Sequence, residues 1–118
     1  AYQLEKPCLY VRQTMRLRGR ERRVEGVLVP GDHVLVIDDL IATGISMKRT
    51  VASTRSEGGI VTDAFVLLDR EEGGTRRLLE NQVRICSLFR LSGVAKRLYE
   101  MNSITEEQLK MLLKQVRK

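Results

Sequence analysis

Val34-Leu-Val-Ile-Asp-Asp-Leu-Ile-Ala-Thr-Gly-Ile-Ser46 decides how this chain is read. Four apolar residues run straight into two adjacent carboxylates, and a short loop with one glycine and two hydroxyls follows. Val34 to Ile37 is short, uniformly apolar and rich in β-branched residues, which predicts a strand buried on both faces. Asp38 and Asp39 are then expected at the carboxyl end of that strand, where open parallel sheets bind ligands. Thr43 to Ser46 leads into a helix-like stretch from Met47 to Glu57, so backbone amides and hydroxyls can surround an anion at a helix N-terminus. Acids that accept hydrogen bonds from vicinal hydroxyls, beside an anion cradle, describe a site for a sugar phosphate. A plain strand end followed by a Thr-Gly turn and N-cap would explain the parts singly. It does not require them in this order.

Size and charge bound the rest. The 118 residues allow one domain with a modest core. Apolar residues make up 42%, but no apolar run approaches the ~18 residues needed to span a bilayer. No signal-peptide pattern opens the chain, and a cytoplasmic location is the default expectation. Cys8 and Cys86 lie in strand-like apolar runs, which predicts buried free thiols. His33 is the single histidine and reads as a residue entering a strand; with no Cys-x-x-Cys, structural zinc has no obvious ligands. The net charge of +6 is concentrated between Arg12 and Arg23, where six arginines face only Glu21. Such a patch suits a polyanion, either small-molecule phosphates or a nucleic-acid backbone, and also suits a solvated hairpin tip.

Strands are expected over Cys8 to Val11 and Val24 to Val29, joined by the arginine-rich loop. Pro30-Gly31 marks a turn, and His33 to Ile37 the decisive strand. Ser46 or Thr43 can cap the next helix, which should end at Gly58-Gly59. Ile60 to Leu68 reads as a strand, Thr75 to Glu80 as a helix and Val83 to Leu88 as a last strand. Two helices should close the chain, from about Ser92 to Met101 and from Ser103 onward. Ser103-Ile-Thr-Glu106 makes a capping box for the second, with Leu109, Leu112, Leu113 and Val116 as its apolar stripe, for the core or a subunit contact. Alternating strands and helices predict an α/β fold with a parallel sheet.

The thirteen-residue stretch resembles the phosphoribosyl pyrophosphate (PRPP) signature of type I phosphoribosyltransferases. Pro7-Cys-Leu-Tyr-Val-Arg12 resembles the strand entering that family's mobile loop, and Val24-Glu-Gly-Val-Leu-Val-Pro-Gly-Asp32 the return strand and turn. Val66-Leu-Leu-Asp-Arg-Glu-Glu-Gly-Gly74 resembles the strand and loop beyond the signature. This last segment narrows the resemblance to the orotate phosphoribosyltransferase branch, including the domain found in UMP synthase. The match runs from about Lys6 to the end. It implies a type I phosphoribosyltransferase-like parallel sheet with crossover helices and a projecting hairpin loop. Residues 1–118 would form a single partial domain, lacking the N-terminal region over the base and the strand and loop that hold pyrophosphate. The chain is therefore expected to be a fragment, with an apolar sheet face or edge uncovered.

The resemblance also implies chemistry. A glycosyltransferase of pyrimidine nucleotide biosynthesis would move ribose 5-phosphate from PRPP to orotate, giving orotidine 5′-phosphate and pyrophosphate. Its cofactor is Mg²⁺, held through PRPP and water with no direct protein ligand. Asp38 and Asp39 would bind the ribose hydroxyls and favour the cationic, oxocarbenium-like sugar. Leu40, Ile41, Ala42, Thr43, Gly44, Ile45 and Ser46 would complete the PRPP loop. Arg12, Gln13, Arg16 and Arg18 match PRPP-binding positions of the mobile loop, Arg16 at a catalytic one. Ala42 and Arg70 match orotate contacts, with Arg70 pairing with the orotate carboxylate.

Departures point to weakened or lost catalysis. Gln13 and Arg16 stand where lysines are usual, and Arg18 where histidine or tyrosine is. Arginine's pKa above ~12 makes it a poor proton donor near neutrality. Ala42 replaces a threonine, a loss of about 1 kcal/mol if one hydroxyl contact disappears. A homodimer is implied, with one subunit's loop reaching its neighbour's site. The alternative is a PRPP-sensing regulator that binds nucleic acid through the arginine-rich loop; that loop has no aromatic residue for base stacking, and no helix-turn-helix is evident. The Arg70 segment disfavours a purine-specific transferase.

Overall fold

A computed structural model describes residues 28–116 and the backbone of residues 10–11 and 24–25. Strands β1 (Tyr10–Val11) and β2 (Val24–Glu25) pair antiparallel, Val11 opposite Val24, so the expected hairpin exists at its base. The second strand does not reach Val29 as expected. Val29 already belongs to a turn, in which Asp32 N–H donates to Val29 O and Val29 N–H to the Asp32 carboxylate, both at 3.0 Å.

The main sheet is fully parallel and ordered β3-β4-β5, from β3 (His33–Ile41), β4 (Ile60–Asp69) and β5 (Arg84–Arg90). Helix α1 (Ile45–Ser56) crosses from β3 to β4, and α2 (Gly74–Glu80) from β4 to β5. Helices α3 (Leu91–Glu100) and α4 (Glu106–Leu113) follow. The α/β architecture is the one expected.

Registered neighbours in a parallel sheet share a face, and successive residues alternate between faces. Val36, Ala64 and Val66 lie on one face, covered by Met47 and Val51 of α1 and Leu78 of α2. Burying such side chains contributes about 1.5–3 kcal/mol each. Arg55 fastens the back of α1, donating to Val61 O at 2.7 Å and Asn81 O at 2.9 Å.

The other face is open. Leu35, Ile37, Leu67 and Leu88 are about half exposed or more, Ile37 at 70%. This corrects the expectation that Val34 to Ile37 is buried on both sides. Strand order follows chain order, so crossovers of one hand lay α1 and α2 on the same side. The uncovered apolar face anticipated from the sequence is therefore present. Cys86 sits in the row with Ile37 and Phe65 and is exposed, not buried; Cys8 lies outside the described residues.

Two caps differ from expectation. Gly44, not Ser46 or Thr43, is the N-cap of α1, with no side-chain cap bond. The capping box of α4 is Thr105–Gln108, with bonds of 3.2 and 2.9 Å, rather than Ser103–Glu106. Ser103 is already engaged in ending α3: its N–H donates to Leu98 O at 2.9 Å, after Asn102 turns left-handed at φ 57°. The stripe of Leu109, Leu112, Leu113 and Val116 is half-buried.

Candidate functional site

Strand β3 outruns the expected end because its pairing continues, Leu40 beside Leu68 and Ile41 beside Asp69. Asp38 and Asp39 consequently lie inside the strand, not at its end. The pleat roots them on opposite faces, Asp38 on the side that carries α1. Their carboxyls nonetheless interact. Asp38 is exposed, yet partial desolvation raises its pKa, and the Asp39 carboxyl adds to the rise by hydrogen bonding and by charge. The Asp39 N–H, donating to Asp38 Oδ1 at 2.8 Å, opposes it.

Beyond Ile41 only Ala42, Thr43 and Gly44 separate strand from helix. Gly44 takes φ 85°, a left-handed conformation that suits glycine. A Cβ there would lie 2.8 Å from Leu78 Cδ2 and 3.0 Å from Gly74 Cα, so glycine is required twice over. The first helical bond runs from Lys48 N–H to Gly44 O at 2.8 Å. The amides of Ile45 and Met47 precede it, at the positive end of the helix, where an anion is favoured.

A second segment braces this loop through three successive carbonyls. Arg70 N–H donates to Ile41 O at 2.9 Å and Gly74 N–H to Ala42 O at 3.0 Å. Arg77 Nε donates to Thr43 O at 2.8 Å. A Cβ on Gly74 would stand 2.6 Å from Ala42 O, which explains the Gly73-Gly74 pair's second member. The segment's own shape depends on buried Asp69, whose carboxylate accepts from Glu71 N–H and Thr75 Oγ1, both at 2.8 Å. Glu71 adopts φ 58°, and its carboxylate accepts from Ser92 N–H at 3.0 Å and Ser92 Oγ at 2.5 Å at the start of α3. Asp69→Ala would orphan the Glu71 amide and should cost about 2–4 kcal/mol in urea unfolding.

Of the predicted site residues, the backbone of Arg70 is thus brought beside the end of the strand that carries Asp38 and Asp39, while Asp39 is rooted on the face away from α1. Arg70 Nε lies 3.1 Å from Glu72 Oε2, and Nη2 donates to Gln115 Oε1 at 3.2 Å. Arg77 is the residue that sequence reasoning missed. Nothing local separates it from Arg76, which pairs with Glu80 at 3.6 Å. Arg12, Gln13, Arg16 and Arg18 lie outside the described residues. Among the described residues no three potential ligands gather as a metal site, and no helix is long and apolar enough to cross a membrane.

The chain is 39% identical over 113 residues to the orotate phosphoribosyltransferase of Pyrobaculum islandicum, a match covering 95% of this chain and 58% of that one. Its structure resembles UMP synthase of Leishmania donovani with a TM-score of 0.78 and 27% identity, over 94% of this chain and 24% of that one. It also resembles the Mycobacterium tuberculosis orotate phosphoribosyltransferase solved in complex with PRPP (TM-score 0.63, 28% identity, 73% of this chain and 48% of that one). No family model matches. The chain spans about half the length of these single-function relatives and a quarter of the fused one.

Proposed function

We propose that this chain, homologous to orotate phosphoribosyltransferases over 95% of its length, carries the ribose-phosphate-gripping part of that activity. The reaction is transfer of ribose 5-phosphate from PRPP to orotate, with release of pyrophosphate. One observation carries the reading: the carbonyls of Ile41, Ala42 and Thr43 are all captured by Arg70, Gly74 and Arg77. That lacing supports the reading because it ties the loop that follows the paired acids to the segment that carries Arg70.

In this reading the Asp38 and Asp39 carboxylates accept hydrogen bonds from the ribose hydroxyls. Their negative charge favours the cationic sugar as the bond to pyrophosphate lengthens. The end of α1 and the Thr43 and Ser46 hydroxyls hold the 5-phosphate. Arg70 orients the base through its carboxylate. Mg²⁺ in this reading is held by the phosphates of PRPP and by water, with the carboxylates reached at most through metal-bound water. When bound, Mg²⁺ neutralises charge on the departing pyrophosphate. A homodimer and a cytoplasmic location accompany this reading. The arginine-rich loop, with Gln13 and Arg16 in lysine positions, makes the turnover weak. Nothing among the described residues or the relatives favours the nucleic-acid-binding alternative.

Calorimetric titration of the chain with PRPP in Mg²⁺ should give saturable binding that Asp39→Asn abolishes. A blank titration would overturn the assignment. Arg77→Ala should weaken PRPP binding about tenfold while costing about 1–2 kcal/mol of stability, the low end for a charge-assisted bond because this one is exposed. Equal affinity in the variant would remove Arg77 from the site.

A further inference from the structure

We infer that Glu72 and Gln115 are internal stand-ins for the substrate carboxylate, and that a carboxylate-bearing base binds by displacing them from Arg70. The inference rests on the assignment of Arg70 to the base and goes beyond it.

Nε and Nη2 flank one edge of the planar guanidinium, the edge that a carboxylate engages with two parallel bonds. Here both donors meet acceptors of the chain itself. Glu72 Oε2 lies 3.1 Å from Nε and Gln115 Oε1 3.2 Å from Nη2. Together a carboxylate oxygen and an amide oxygen imitate the two oxygens of a bound carboxylate. They come from different places, Glu72 two residues along the loop and Gln115 just beyond α4.

The Glu72 contact is built to yield. Its Oε2 is buried yet makes no hydrogen bond, so its link to Nε is a charge contact with poor angular geometry. A ligand carboxylate that aligned with both donors would satisfy the guanidinium better. Released from Arg70, the Glu72 carboxylate could turn toward water, since its side chain is already 26% exposed. The exchange keeps Arg70 paired in the absence of substrate and subtracts from the affinity for carboxylate ligands. A base lacking the carboxyl group gains nothing from it. Gln115 connects the end of α4 to the same event, because its amide must leave when the ligand arrives.

The test is titration of the full chain with orotate and with uracil, which lacks the carboxyl group, in the wild type, Glu72→Gln and Gln115→Ala. Glu72→Gln should bind orotate about 2- to 5-fold more tightly, the value of the partly exposed ion pair it removes, with uracil unaffected. Gln115→Ala, which changes no charge, should also tighten orotate binding, and the Gln115 side-chain amide resonance should shift with orotate but not uracil. A merely structural role for either residue would weaken binding instead. Equal or weaker orotate affinity in both variants overturns the exchange while leaving the assignment of the base intact. Binding of PRPP without orotate binding by any of the three proteins overturns that assignment, and the exchange with it.

Discussion

Gly44→Ala should lower stability by about 2–4 kcal/mol and Gly73→Ala by only about 1 kcal/mol, although both glycines are left-handed. The shared cost is conformational: an alanine at φ 85° or 95° brings its Cβ against the following carbonyl. The difference is packing. At Gly73 an added Cβ meets nothing within 4 Å, whereas at Gly44 it meets Leu78 Cδ2 at 2.8 Å and Gly74 Cα at 3.0 Å. Leu78 is fully buried in the core and Gly74 presents backbone, so neither can swing aside cheaply. Relief would require α2 to move away from the loop, breaking the bonds to Ala42 O and Thr43 O. Loss of PRPP binding should therefore accompany the loss of stability in Gly44→Ala, but not in Gly73→Ala. Urea unfolding of both variants measures the gap. Equal losses would show that α2 does not hold the loop from beneath.

The parts of this fold legible in the sequence are those with local causes. Gly58-Gly59 ends α1, and the apolar run from Ile60 gives β4, whatever happens elsewhere in the chain. Strand ends were less legible because pairing decides them. Nothing within Asp38 to Ile41 says that Leu68 and Asp69 will continue the ladder beside it. The faces of β3 are illegible for a related reason, since Val34 to Ile37 looks alike with one covered face or two. At α4 the pattern points to a Ser103-x-x-Glu106 box, and the box that forms is Thr105-x-x-Gln108. The left-handed Asn102 settled the choice by committing Ser103 to the end of α3.

The candidate site divides in the same way. Asp38, Asp39 and Thr43 to Ser46 are contiguous, so their chemistry can be read directly. Arg77 reaches Thr43 across 34 residues and Gln115 reaches Arg70 across 45. No local pattern reports such contacts; the packing of α2 and the course of the chain after α4 create them.

Asp38→Asn should move stability and ligand binding in opposite directions. The Asp38 carboxyl, though exposed, has a pKa above the ordinary 3.8 in the folded chain, through partial desolvation first and then its contact with the Asp39 carboxyl. The folded state thus holds this proton more tightly than the unfolded state. Stability falls as pH rises from about 3.8 through the raised value, and the deficit persists at neutral pH. Asparagine keeps the side chain's shape and its acceptor for the Asp39 N–H, but carries no charge to desolvate. At pH 7 the variant should be more stable than the wild type, and below the ordinary pKa the gain should vanish. Binding should go the other way. A charge-assisted hydrogen bond to a ribose hydroxyl contributes about 1.5–3 kcal/mol, so PRPP affinity should fall about 10- to 100-fold. Asp39→Asn removes a neighbour that raises the Asp38 pKa and should bring it back toward the ordinary range, as carboxyl NMR titration would detect. An Asp38→Asn chain no more stable at pH 7 than the wild type, or equally favoured at pH 3, would mean that the carboxylate is not held at a cost. The pair would then be an ordinary solvated strand feature, not a site whose charge is retained for a ligand.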